Sequence, residues 1–318
     1  MLKLRACFSR NPRIYPLIEG VVKAEGIELD VDQEDHGDTF AWLLDGGPCD
    51  VFEFSISHYM TTFERQDPRW DWTAIPIFLA KATPFLETRV HKDADIESLS
   101  DLRGKRVGMG DYAMTAGVWL RVALDQLYGV RPSEVTWFAG RARHRSHDFQ
   151  LGIQDTLRPD LSVTWLDEDG ALDRLLRAGD LDAAFGVKED PVLRPLLPDG
   201  GSGLFAEFWR SKGYVPVNHI LLTRRPIVED NPWVPEALFA AFERSKQAAY
   251  ERDPSTRVVL PKEDAAAQRA LYGDDPYPSG VAANRAMLEA VARQSYAEGL
   301  TRGLLDVEAL FSESVRNT

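Results

Sequence analysis

The sequence predicts an α/β protein, because short apolar segments typical of strands alternate along the chain with segments of helical periodicity. Strands that alternate with helices form parallel sheets, and ligands bind where the carboxyl ends of such strands meet. The chain has 318 residues, of which 44% are hydrophobic and 27% are charged. This composition is typical of a globular protein, and the length is sufficient for two domains.

The individual elements follow from local patterns of apolar, β-branched and turn-forming residues. Strands are predicted at 2–7, 27–31, 50–54, 75–78, 107, 135–138 and 215–222, with a turn and a further buried strand within 179–186. Helices are predicted at 14–22, 40–44, 55–60, 115–128, 172–178, 235–250, 263–271 and 284–299. The glycines of 200–203 predict a loop. The loops at 9–13, 53–57 and 110–115 follow predicted strands and are expected to meet at one edge.

The most informative run lies between residues 101 and 129. A basic turn leads through a strand at Val107 and a loop of small residues to a helix that begins at Thr115, and Gly129 is suited to end that helix. The first N–H groups of a helix have no partner inside it. With Thr115 as a cap, this helix start therefore predicts a site for a carboxylate or a phosphate, although most turns of this kind bind nothing.

The charge and the cysteine content exclude several classes of partner. A net charge of −13 argues against binding to nucleic acid or to a membrane surface. Cys7 and Cys49 are the two cysteines, and no Cys/His spacing is typical of zinc, so no metal is predicted. The N-terminus lacks the apolar core of a secretory signal, and no run is long enough to cross a membrane. A cytoplasmic location is expected, although a mature chain whose signal had been removed would look the same.

Several segments, in one order along the chain from Arg13 to Leu310, carry a resemblance to a known family. They are 52–59 (FEFSISHY), 101–129, 179–183 (GDLDA), 216–219 (PVNH), 231–234 (NPWV), 275–280 (DPYPSG) and 284–285 (NR). In these segments the chain resembles the 4,5-dihydroxyphthalate decarboxylase family. The resemblance implies a two-lobed type II periplasmic-binding-protein-like fold with a ligand cleft between the lobes. Lobe one would be 1–90 and 216–318, lobe two would be 91–215, and the hinges would lie at 87–91 and 214–218.

The chemistry that the resemblance implies is the non-oxidative loss of carbon dioxide from a small aromatic carboxylate that carries hydroxyl groups. Such a reaction needs an acid, a base and anchors for the carboxylate. No cofactor is required in principle, and residues 104–110 lack the glycine spacing of dinucleotide-binding and phosphate-binding loops.

The predicted catalytic residues are His219 and Glu53. His219 matches the family's histidine on the strand that returns to lobe one, and its side chain titrates close to neutral pH. Glu53 lies in the family's Glu-x-Ser-x-Ser pattern and is predicted to take a proton from a ring hydroxyl. The alternatives are a hydrogen-bonded core histidine and a carboxylate that caps the next helix.

The predicted substrate-binding residues share polar groups suited to a carboxylate or a hydroxyl. Arg13 matches an N-terminal arginine of the family, and a guanidinium suits a carboxylate, although a surface salt bridge is the alternative. The others are Ser55, Ser57, Lys81, Tyr112, Thr115 and Asn284, for which helix capping or packing are the alternatives.

One departure from the family pattern concerns charge. In 80–86 (AKATPFL) the chain lacks two arginine or histidine positions that typical members have, so Lys81 is the one cation left there. The resemblance therefore predicts a substrate less anionic than a phthalate, unless the basic loop at 141–147 compensates.

Two functions of other kinds stay open at this point. A solute-binding protein that captures a small anion would share the same two-lobed cleft, because a fold does not decide a function. A dehydratase of the type found in menaquinone-pathway relatives of this fold is a further alternative. The sequence also leaves open whether the chain forms a homo-oligomer.

Overall fold

The computed structural model describes residues 1–33, 36–81, 84–260 and 264–318, and its strands form two sheets. The strands are β1 (Leu2–Phe8), β2 (Ile27–Gln33), β3 (Val51–Ser55), β4 (Trp72–Ala80), β5 (Arg89–His91), β6 (Arg106–Met109), β7 (Thr136–Ala139), β8 (Ser162–Trp165), β9 (Ala183–Ala184), β10 (Leu193–Pro195) and β11 (His219–Arg224). The helices are α1 (Tyr15–Ile18), α2 (His36–Leu44), α3 (Ile56–Arg65), α4 (Thr115–Tyr128), α5 (His147–Gln150), α6 (Ala171–Ala178), α7 (Ser202–Lys212), α8 (Arg225–Asp230), α9 (Val234–Arg252), α10 (Ala265–Tyr272) and α11 (Val281–Glu298). In the part of the chain that the structure describes, no helix is both long and apolar enough to span a membrane.

The first sheet has the strand order β2-β1-β3-β11-β4. Strand β1 is parallel to β2 and β3, whereas β11 is antiparallel to both of its neighbours, β3 and β4. Every residue of β3 is buried, as expected for a strand covered on both faces. The prediction of a parallel sheet therefore holds for the first three strands. It fails for β11, because that strand returns from the second sheet in the opposite direction.

The second sheet has the strand order β10-β5-β9-β6-β7-β8. Strand β6 is parallel to β7 and β9, and β7 is parallel to β8. All of its strands lie between residues 89 and 195, whereas the strands of the first sheet come from 2–80 and 219–224. The chain thus crosses between the sheets after β4 and again before β11. The exact lobe boundaries and hinges remain predictions.

Helix α4 has the bounds predicted from the sequence. Its first ten residues are all buried, and Gly129 follows it with a φ of 63°, a conformation that glycine adopts without strain. The predicted cap is wrong, since Met114 is the N-cap and Thr115 is the first helical residue. The hydroxyl of Thr115 bonds to other elements instead.

The sequence missed several elements of the second half of the fold. Helix α7 begins at Ser202, inside the segment predicted as a loop. The left-handed Gly201 (φ 87°) is the N-cap of this helix. Strands β5, β8 and β10 had no predicted counterpart. The helix predicted at 263–271 corresponds to α10, and residue 263 lies outside the described residues.

The register of β11 decides where His219 lies. His219 is opposite Ser55 on β3 and opposite Ala80 on β4, and the pairing with β4 shifts at the next residue. Such irregularities change the direction of a side chain at a sheet edge. His219 therefore begins β11 at the point where β3 and β4 both end.

Candidate active site

A cavity of about 280 Å³ lies between the two sheets, next to the ends of β3 and β4. From the first sheet and its helices it is lined by Phe40, Ser55, His58, Ala80, Asn218 and His219. From the other side it is lined by Pro84, Met114, Thr115, Ala116, Arg141 and His147. Pockets for drug-sized ligands hold about 300 to 1,000 Å³. This cavity, which we call the central cavity, is therefore suited to a compound with one aromatic ring.

The imidazole of His219 is paired with the carboxylate of Glu53, and Nδ1 lies 2.7 Å from Oε1. The other carboxylate oxygen, Oε2, accepts hydrogen bonds from the backbone N–H and the hydroxyl of Ser9, at 3.1 and 2.6 Å. These donors favour the ionised carboxylate, which can only accept, so we assign the proton of this contact to Nδ1 of His219. The carboxylate fixes the orientation of the ring.

Glu53 does not reach the central cavity. Its side chain is 1% exposed, against 14% for His219, and its two oxygens are occupied by His219 and Ser9. The predicted direct transfer of a hydroxyl proton to Glu53 is therefore not supported by its position. Glu53 can act on a ligand only through His219.

A cluster of hydroxyl groups joins the start of α3 to the start of α4. The hydroxyls of Ser55 and Thr115 are 2.7 Å apart, and Oγ1 of Thr115 accepts a hydrogen bond from the backbone N–H of Ser57 at 3.1 Å. The hydroxyl of Ser57 donates to the carbonyl of Ala113 at 2.6 Å. Ser55 and Thr115 line the central cavity, whereas Ser57 lies behind them.

The N-terminus of α4 and Arg141 together form a site suited to a carboxylate. The backbone N–H groups of Thr115 and Ala116 have no hydrogen-bond acceptor within the described residues. Arg141 donates from Nε to Oδ2 of Asp111 at 2.6 Å, which leaves its other nitrogens for a ligand. Among the described lining residues, Arg141 is the one lysine or arginine. A helix N-terminus beside a guanidinium favours an anion.

Two buried carboxylates hold Arg141 and the loop before α4 in place. Burial raises the pKa of Asp111, but the nearby His147 and Arg141 outweigh it and leave that pKa below its usual range. Asp148 accepts a hydrogen bond from the backbone N–H of Ala113 at 3.0 Å. Burial and the charge of Asp111 raise the pKa of Asp148. These contacts hold Arg141 and the loop before α4 in position, and so they fix the geometry of the anion site.

A second cavity, of about 580 Å³, adjoins the central one, and Ala80 lines both. Arg13, Lys81 and Tyr277 lie in its wall. The guanidinium of Arg13 donates to the carbonyl of Leu79 at 2.6 Å and lies 3.5 Å from the centre of the Tyr277 ring. Arg13 and Lys81 thus line the second cavity, His219 lines the central one, and Arg13 holds the end of β4 in place.

Lys81 is expected to make the stability of the protein depend on pH. Its side chain is buried and makes no hydrogen bond to any described residue, and burial lowers its pKa from 10.5 to about 7. Between these two values the unfolded chain binds more protons than the folded one, so the free energy of unfolding rises with pH. One pKa unit corresponds to about 1.4 kcal/mol. From pH 6 to pH 9 the free energy of unfolding of wild type should therefore rise by about 2 to 3 kcal/mol relative to that of Lys81→Met.

Urea unfolding of both proteins at the two pH values measures this difference. The comparison with Lys81→Met removes the contribution of all other titrating groups. The stability difference between wild type and Lys81→Met could instead change by less than about 0.5 kcal/mol from pH 6 to pH 9. Since a single pKa unit corresponds to about 1.4 kcal/mol, that result would show that the lysine is not buried in its neutral form.

Tyr112 and Asn284, both predicted to contact a substrate, lie away from the central cavity. Tyr112 is fully buried, and the guanidinium of Arg121 stacks on its ring at 3.8 Å. Asn284 donates through Nδ2 to the carbonyls of Pro278 and Gly280, both at 2.8 Å, and so fixes the turn before α11. Asn284 therefore uses its amide within the protein, and the contact of Tyr112 is made by the face of its ring.

Three titratable residues of the cavity wall, His58, Arg141 and His147, were not assigned an individual role from the sequence. Arg141 and His147 were part of a basic loop whose position could not be known, because it depends on where β7 lies in the second sheet. His58 follows Ser55 by three residues, and this spacing places two residues on the same face of a helical turn. That spacing was the signal that could have identified His58.

The comparisons with known proteins agree with the family seen in the sequence. No family model matches the chain. It is 29% identical over 323 residues to the 4,5-dihydroxyphthalate decarboxylase of Comamonas testosteroni, covering 98% of this chain and 96% of that protein. It is 30% identical over 188 residues to the 4,5-dihydroxyphthalate decarboxylase of Pseudomonas putida, covering 59% of this chain and 71% of that protein.

Solved structures show the fold. The periplasmic aliphatic sulphonate binding protein SsuA of Escherichia coli superposes with a TM-score of 0.57 at 15% identity, covering 99% of each chain. A mutant of DszB in complex with biphenyl-2-sulfinic acid gives a TM-score of 0.52 at 14% identity, covering 97% of this chain and 96% of that one. The predicted two-lobed type II periplasmic-binding-protein-like fold is thus confirmed. On the identity and coverage of its relatives, the chain belongs to the 4,5-dihydroxyphthalate decarboxylase family of enzymes.

Proposed function

We propose that this member of the family removes carbon dioxide from a hydroxylated aromatic acid with one ring, and that it does so without an organic cofactor. The observation that supports this most is the arrangement of the central cavity. An imidazole paired with a buried carboxylate, His219 with Glu53, stands on one side of it. The anion site of Thr115, Ala116 and Arg141 stands on the other. A ring between them would have its carboxylate bound and a proton source within reach.

The reaction requires a proton at the ring carbon that bears the carboxylate. A ring hydroxyl supplies electron density to that carbon, and protonation there gives a non-aromatic, O-protonated dienone that keeps the hydroxyl proton. The bond to the carboxylate then breaks, its electron pair returns to the ring, and carbon dioxide leaves. The protonated imidazole of His219 donates the proton, and Glu53 holds the ring in position for the transfer. The neutral imidazole then regains a proton from solvent.

The number of cations in the central cavity supports a monocarboxylate as the substrate. Arg141 is the one lysine or arginine among the described lining residues, and Asp111 already takes part of its charge. A second carboxylate would lack a counter-ion in this cavity. A missing charge-assisted contact costs about 1.5 to 3 kcal/mol, which is about 10- to 100-fold in affinity.

We therefore expect a higher kcat/KM for hydroxylated benzoates than for 4,5-dihydroxyphthalate, by about tenfold or more. Both are measured at one ionic strength, because charge-dependent binding changes with salt. The variant Arg141→Met serves as a control, since it should weaken the binding of both acids. A phthalate that proves better by tenfold would contradict the proposed charge of the substrate.

The activity itself is tested by incubating the purified protein with a panel of hydroxylated benzoates and phthalates. Carbon dioxide release with an equimolar amount of the decarboxylated ring supports the proposal. Tight binding across the panel without release of carbon dioxide would instead identify a solute-binding protein.

A further inference from the structure

His58 is a buried polar group of the central cavity that the reaction proposed above does not use. It lies in the first turn of α3, its residue is 1% exposed, and it lines the cavity. Neither of its ring nitrogens has a hydrogen-bond partner in the described part of the chain. A buried polar group without a partner is rare and lowers the stability of a protein. This position therefore indicates that a bound ligand completes the hydrogen bonding of His58.

The surroundings of His58 favour a neutral ligand group. Burial, followed by the charge of the neighbouring His147, lowers the pKa of His58 well below its ordinary value. The ring planes of these two histidines are perpendicular, with their centres 5.1 Å apart. A neutral imidazole offers one N–H donor and one lone pair. A hydroxyl group can both donate and accept, so it matches either nitrogen.

Aromatic rings pack against both His58 and His219. The ring of Phe54 lies 6.2 Å from that of His58, and the ring of Phe40, also on the cavity wall, lies 5.1 Å from that of His219. The carboxylate has its own site at Arg141 and the start of α4. What remains for His58 is a polar substituent on the ring.

We infer that His58 binds a hydroxyl group of the aromatic substrate and thereby selects hydroxylated rings over rings without hydroxyl groups. This inference rests on the proposed function, of which it specifies the substrate class. A site with a buried group that needs a hydroxyl partner rejects a compound without one, because the group then stays unpaired.

The test compares the affinities of benzoate, 3-hydroxybenzoate and 4-hydroxybenzoate by calorimetry. Wild type should bind at least one hydroxybenzoate about tenfold or more tightly than benzoate. In His58→Leu this ratio should fall to within about twofold, chiefly through weaker binding of the hydroxylated acid. His58→Gln, which keeps a donor and an acceptor, should restore part of the ratio and serves as a second variant if the leucine variant does not fold.

Phe40→Leu is the matched control. It removes a ring from the same wall without a change in hydrogen bonding. It should therefore weaken the binding of all three acids and keep the ratio of their affinities. If His58→Leu has the same ratio of hydroxybenzoate to benzoate affinity as wild type, the inference is overturned. It is also overturned if wild type shows no preference for the hydroxylated acids or binds none of the three. Carbon dioxide release, recorded on the same samples, reports separately on the proposed reaction.

Discussion

Replacing His219 by glutamine is expected to lower the turnover number by at least about 100-fold. General acid catalysis typically contributes about 10²- to 10⁴-fold to a rate. Glutamine has a similar size and can keep a hydrogen bond to Glu53, but it cannot carry a proton to the ring carbon. The measurement is kcat for carbon dioxide release at saturating substrate, with KM determined alongside. Substrate binding should change little, because the anion site is on the other side of the cavity.

Two further variants separate catalysis from structure. His144→Gln makes the same change at an exposed histidine outside the central cavity and should leave kcat unchanged. Glu53→Gln keeps His219 but removes the carboxylate that orients its ring, so kcat should fall by less than in His219→Gln. A His219→Gln enzyme within threefold of the wild-type rate would exclude His219 as the proton donor.

Replacing Glu298 by leucine is expected to destabilise the protein by about 3 to 5 kcal/mol, because it leaves a buried charge without its partner. Nε of Arg121 donates to Oε1 of Glu298 at 2.6 Å, and the two side chains are 0% and 2% exposed. The pair connects α4, which begins at the anion site, with α11. The free energy of unfolding in urea, compared with that of wild type, measures the effect.

A double variant and a surface control make this test specific. Arg121→Met combined with Glu298→Leu removes both charges and should recover about 2 kcal/mol or more of the loss. Glu289→Leu breaks the exposed pair of Arg293 and Glu289 on the same helix, and should cost less than about 1 kcal/mol. If the single and double variants were equally unstable, the loss would come from packing and not from the unpaired arginine.

The elements that the sequence predicted well are those with strong local signals. The apolar residues Val118, Val122 and Leu127 at helical spacing, with Gly129 behind them, predicted α4 with its observed bounds. Local sequence patterns failed where tertiary contacts determine the bounds and the direction of an element. Strand β11 was placed too early, because residues 215–218 are apolar like a strand but form the connection into the sheet. The direction of β11 depends on the second sheet, which no local pattern encodes.

The site was predicted in part, for a similar reason. His219 was expected to share one cleft with Glu53, Ser57 and Thr115, because each lies at a strand end, a helix start or on the returning strand. His219 and Thr115 line the central cavity, whereas Ser57 lies behind its wall. The sequence also named Glu53, but its place behind His219 follows from the pairing of β11 with β3. Tyr112 and Asn284 were misplaced because a polar residue near a loop has the same sequence pattern whether it contacts a ligand or its own backbone.

The position of β11 also has a consequence for synthesis of the chain. This strand fills the gap between β3 and β4, both of which leave the ribosome long before it. Until residues 219–224 emerge, β3 and β4 each present an unpaired edge, and such edges are prone to wrong pairing. The second sheet, contained within residues 89–195, can form in the meantime. His219 is thus added with the strand that closes the first sheet, so an incompletely made chain has Arg141 and the start of α4 but not yet the pair of His219 and Glu53.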